Sequence, residues 1–64
     1  MEKVENFQFE NGCTREQLIA VLLRGLENGG KMNDKILIVM DNNQGCRVKE
    51  IFDRNNEITL YNWI

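Results

Sequence analysis

The carboxylates Glu50, Asp53 and Glu57, the thiols Cys13 and Cys46 and the Thr14 hydroxyl are the groups to try first for acid–base or nucleophilic chemistry. Histidine and serine are absent from the 64 residues, which removes the usual base and the usual hydroxyl nucleophile. The carboxylates cluster near a turn on a solvated face, where burial has little chance to tune their acidity. Cys13 and Cys46 lie far apart with no C-x-x-C spacing, and without histidine they do not form a metal set. Asp41-x-Asn43-x-Gly45 begins like a calcium loop, but Gly45 stands where a ligand is needed and Phe52 where the closing Glu belongs. Asn28-Gly29-Gly30-Lys31 would have to precede a helix to cradle phosphate, and it follows one. The expectation is a chain without catalytic residues, cofactor or metal.

Thr14 has a structural use instead. Thr14-Arg15-Glu16-Gln17 ahead of Leu18-Ile19-Ala20-Val21-Leu22-Leu23 is a capping box, with Cys13 and Leu18 placed as a hydrophobic staple. The helix it opens runs from Arg15 to about Asn28, where Gly29-Gly30 supplies a left-handed stop. Its apolar residues spread over roughly 200° of the helical wheel, wider than one small sheet covers. Two readings of that surplus stay open: coverage by Phe7, Phe9 and the loop after Gly30, or packing against a partner or a second copy. Gly25, in the middle of the apolar arc, costs up to about 1 kcal/mol relative to alanine and points to close approach of helix and sheet.

Three strands follow. Lys35 to Met40 is apolar on both faces, Ile36, Ile38 and Met40 against Leu37 and Val39, which suits a strand covered on both sides, or at least central in its sheet. Asp41 to Gly45 reads as a hairpin loop, Cys46 to Phe52 as the second strand, Asp53 to Asn56 as a tight turn and Glu57 to Ile64 as the third strand. Strict alternation turns Val48, Phe52, Ile58, Leu60 and Ile64 toward the helix. Residues 1–12 read as a partly ordered arm closed by the Asn11-Gly12 turn signal, with a short strand around Phe7 and Phe9 as the alternative. The expected architecture is α+β: residues 1–12 as an arm, and residues 13–64 as one domain in which a helix packs on a three-stranded antiparallel meander.

The same alternation leaves Leu37, Val39, Arg47, Lys49, Ile51, Thr59, Tyr61 and Trp63 on the outer sheet face. Val39, Arg47, Lys49, Ile51, Tyr61 and Trp63 are therefore the candidate binding residues. Trp, Tyr and Arg are enriched at protein-binding hot spots, and contact with a protein partner or a second subunit is the first reading. Burial of these side chains by the N-terminal arm is the second reading, and stacking and charge from Arg47, Lys49, Tyr61 and Trp63 make a single-stranded nucleic-acid module the rival from another class. A formal net charge of −2 weighs against that rival, because phosphate-driven affinity needs a basic field. The polar start Met1-Glu2-Lys3-Val4-Glu5-Asn6 has no apolar signal region and no stretch is apolar enough to cross a bilayer, so a reducing cytoplasm with both thiols free is expected.

Thr14-x-x-Gln17-Leu18-Ile19, then Lys35-Ile36-Leu37-Ile38-Val39, a turn with Gly45, Val48-x-x-Ile51 and Ile58-x-Leu60 together resemble small phage and prophage proteins in which a leading helix precedes a three-stranded meander. The resemblance covers residues 14–64. It implies a cytoplasmic accessory protein of a mobile element and carries over no catalytic residue. The polar arm departs from the pattern, whose helix begins almost at the first residue.

Overall fold

A computed structural model describes residues 4–54 and 56–63. The elements in chain order are β1 (Glu5–Gln8), α1 (Arg15–Glu27), β2 (Lys35–Val39), a short 3-10 turn (Asn42–Gln44), β3 (Glu50–Asp53) and β4 (Glu57–Tyr61). The class is α+β, as expected, but the sheet has four strands in the order β1-β3-β4-β2. β3 is antiparallel to both β1 and β4, whereas β2 runs parallel to β4. The expected three-stranded meander is thus corrected to a mixed sheet. None of the described helices is long and apolar enough to cross a membrane.

Both ends of α1 form as the sequence dictates. The Gln17 N–H donates to Thr14 Oγ1 at 3.1 Å and the Thr14 N–H donates to Gln17 Oε1 at 2.9 Å, so the capping box is closed on both sides. At the other end the Gly30 N–H returns to Gly25 O at 2.8 Å and the Gly29 N–H to Leu26 O at 3.2 Å. That is a Schellman stop, and Gly29 takes the left-handed φ of 101° it requires.

The N-terminal arm is where the fourth strand comes from. Glu5 to Gln8 pair residue by residue with Asp53 to Glu50. The ladder then ends in a turn, in which the Gly12 N–H donates to Phe9 O at 3.0 Å. From that turn α1 carries the chain across the sheet to its far edge, where β2 lies. Because β1 and β2 point the same way, a crossover helix is the natural connection between them.

Residues 40–49 are no hairpin. They step over β4, which occupies the place beside β2. Asn62, buried at the end of β4, makes this connection possible. Its Oδ1 accepts from the Asp41 N–H at 2.7 Å, and its Nδ2 donates to Asp41 O at 2.8 Å and to Gly45 O. One side-chain amide thereby continues the β2–β4 ladder after the strands have ended. Asp41 Oδ1 then accepts from the Asn43 N–H at 2.9 Å and opens the 3-10 turn.

β3 shows why strict alternation misplaced two side chains. The β3–β4 register sets Glu50 opposite Tyr61, yet the Lys49 N–H also donates to Tyr61 O at 2.8 Å. Two residues oppose one, which is a β-bulge. A bulge resets the alternation, so the phase set at Val48 does not carry on to Phe52. Ile51 faces the helix and is fully buried, while Phe52 lies on the outer face. Ile64, expected to face the helix, and Asn55, expected in the β3–β4 turn, lie outside the described residues.

Asn62→Ala removes the partner of three backbone groups in a part-buried setting. It is expected to cost about 1–3 kcal/mol in urea unfolding. An unchanged midpoint would show that solvent serves the Asp41–Gly45 connection equally well.

Candidate interaction surface

The helix sits on the β1 and β3 side of the sheet, with Gly25 against the Asp53 side chain. A Cβ at that position would meet Asp53 Oδ2, the movable end of a side chain, so glycine here leaves the Asp53 carboxylate room against the helix backbone. Beside it, Arg24 Nε donates to Glu5 Oε2 at 2.7 Å and Asn28 Nδ2 donates to Glu5 Oε1, tying the last turns of α1 to β1. Val21 and Ile51 are the buried apolar centre under this half of the helix.

The other half of the same sheet face is bare. Between α1 and β2 runs a groove of about 350 Å³, walled by Ile19, Leu23 and Leu26 of the helix, floored by Ile36 and Ile58, and flanked by Met32. Leu23 is 54% exposed, Ile38 64% and Met32 88%. Lys31 and Asp34 are the polar groups among the groove's lining residues.

β2 itself is the least covered element. Four of its five residues are exposed, and it forms an edge of the sheet. The expectation of a central strand is corrected here: Lys-Ile-Leu-Ile-Val is apolar on both faces, yet has a neighbour on one side only among the described residues.

The outer face differs from the expected one. Tyr61 and Trp63 do lie together, with ring centroids 5.2 Å apart at an interplanar angle of 73°. Phe52, which sequence reasoning assigned to the core, joins them edge-to-face at 5.6 Å from Tyr61. The Arg54 guanidinium stands over Phe52 at 5.1 Å, and its Nη1 donates to Thr59 Oγ1 at 3.1 Å. Thr59 is only 2% exposed despite its outward position. These rings spend much of their surface on one another. Val39 pairs with Tyr61 across the β2–β4 ladder and is half-buried.

Arg47 and Lys49 line a cleft with Glu10, Asn11 and Cys46 near the β1–α1 turn. Arg47 Nη1 donates to Asn11 O at 3.4 Å. Ile51 leaves the candidate set, because it lies buried on the opposite face. Phe52 was missed in the sequence because of the bulge at Lys49–Glu50, and Arg54 because it was read as a turn residue, whereas it folds back over Phe52 and Thr59.

The three carboxylates tried first for chemistry do not converge. Glu50 accepts from Asn6 Nδ2 at 3.0 Å and Gln8 Nε2 at 3.2 Å on the outer face, and Glu57 pairs with Lys35 across the ladder. Asp53 faces the helix. Burial, then the charges of Glu5 and Asp34, push its pKa above the usual carboxylate range. Among the described residues no cluster of acids or thiols is arranged to hold a metal. Both cysteines are free, Cys46 exposed and Cys13 half-buried, and burial pushes the Cys13 thiol up.

Comparison with protein-family models, with curated proteins and with solved structures finds no match to this chain.

Asp53 supplies a pH test. Its folded-state pKa lies above the unfolded value of about 3.9, so the folded state holds the proton more tightly. Stability should fall as pH rises from the unfolded pKa through the folded one. Asp53→Asn is expected to raise the thermal midpoint at pH 7 and to flatten that part of the profile. A lower midpoint at pH 7 would mean that the ionised carboxylate is held by favourable contacts.

Proposed function

We propose that this chain is a small, non-enzymatic protein-interaction module whose first partner is a second copy of itself. The observation that carries the reading is the bare half of the helix-side sheet face, where the α1–β2 groove meets an edge strand that is apolar on both sides. Isolated apolar side chains are normal on a surface, whereas a contiguous apolar trough beside an open strand edge marks a contact site. The resemblance to phage and prophage proteins adds a context: a cytoplasmic accessory protein, or an inhibitor of a host protein, acting by contact.

The outer face is less suited to the nucleic-acid alternative. Its three rings pack edge-to-face on each other, and Arg54, the cation that meets them, is engaged with Phe52 and Thr59. Base stacking needs open aromatic faces along a basic track.

Ile36→Glu puts a charge in the groove floor at a half-exposed position, so the fold should persist while association suffers. Light scattering across a concentration series should show the wild type gaining mass and the variant staying monomeric. A wild type that stays monomeric throughout, or a variant that associates equally well, contradicts the reading.

A further inference from the structure

We infer that two copies of the chain join through β2, edge to edge and antiparallel, in one register centred on Ile38. This rests on the self-association proposed above and specifies its geometry.

The first argument is which backbone groups are free. Asp41 directs both its N–H and its C=O at Asn62, on the β4 side. Asp41 is extended, with φ −111° and ψ 119°, and continues the direction of β2. In an extended strand successive residues point their polar groups to opposite sides. Residues 35, 37 and 39 therefore serve β4, and Ile36, Ile38 and Met40 present their N–H and C=O groups at the open edge. An antiparallel partner needs free groups on alternate residues, and this edge supplies them.

The second argument is charge. Pairing Ile38 with its own copy sets Ile36 opposite Met40 and Leu37 opposite Val39. The same register sets Lys35 opposite Asp41 at both ends of the ladder. An isologous contact must be self-complementary, and this one places opposite charges together twice.

The third argument is what guards each edge. Sheet edges are protected by charge, proline, bulges or shortness. At the β1 edge, Glu5, Asn6 and Gln8 are polar and engaged with Arg24, Asn28 and Glu50. β2 has Lys35 alone, at its start, and no proline. Paired with its copy, β2 becomes the central strand that its two apolar faces require, and the two grooves come to lie on the same face across the two-fold axis.

Charge-swapped chains test the register. Lys35→Asp alone sets aspartate against Asp41, and Asp41→Lys alone sets lysine against Lys35. Each single variant should weaken the dimer at least about tenfold, since two like-charged pairs replace two opposite ones. Mixing the two variants should restore association as a heterodimer, because both cross-strand pairs are then opposite in charge. Circular dichroism confirms that each variant is folded. Ile38→Lys is the second variant: Ile38 is 64% exposed, so the monomer tolerates the change, while two cations would meet on the axis. The inference is overturned if the single variants dimerise like the wild type, if folded variants fail to recover on mixing, or if Ile38→Lys leaves association intact. Should Ile36→Glu abolish association while these variants do not, the groove contact stands and the strand pairing falls.

Discussion

The contacts of the last turns of α1 with β1 and β3 mark where the helix rests: Arg24 and Asn28 donate to Glu5, and Gly25 lies against the Asp53 carboxylate. α1 is thereby seated over β1 and β3, away from the middle of a four-stranded sheet. Everything on the far side follows from that seat. The apolar arc of the helix is wider than the strip it covers, β2 receives no lid, and the space between them becomes a groove. The seat also has an electrostatic cost, since Asp53 is partly desolvated near two other carboxylates. Arg24, largely exposed, offsets part of the acidic charge through Glu5, and solvent screens that pair.

The helix was legible in the sequence because its signals are local. A cap, a staple position and a paired-glycine stop each act within a few residues, and the structure shows the cap and the stop as read. The meaning of Gly25 was legible too, as a close approach of helix and sheet, and the neighbour is the Asp53 carboxylate. The sheet was harder, because its order depends on contacts between distant residues. The polar Glu5–Gln8 segment is a strand because β3 offers it a partner, and its own composition says little of this. Short connections favour a meander, but Asn62 ties residues 41–45 back to β4 and lets the chain step over it. A buried asparagine near a chain end has no sequence signature that separates it from a solvated one.

The candidate site shifted for one reason that can be named. Alternation is a dependable guide only while each residue faces one partner. Lys49 and Glu50 share Tyr61, and from that point the inward and outward sets exchange. Ile51 went into the core, and Phe52 came out to join Tyr61 and Trp63. The surplus of apolar surface noticed on the helix was real, and so was the double-faced character of β2. Their common cause, a strand left at the edge beside an off-centre helix, could only be read from the topology.

A strand whose two faces are apolar and whose outer edge has no partner within the described chain is an unfinished element. Self-pairing completes it with the residues already present, and turns two half-covered sheets into one continuous sheet. The most direct measurement is amide hydrogen exchange at Ile36, Ile38 and Met40 across a concentration series that spans association. Self-pairing predicts that these three amides exchange freely when dilute and become protected as the mass doubles, since their N–H groups then donate across the two-fold axis. Free exchange at these positions in a fully associated sample would contradict it.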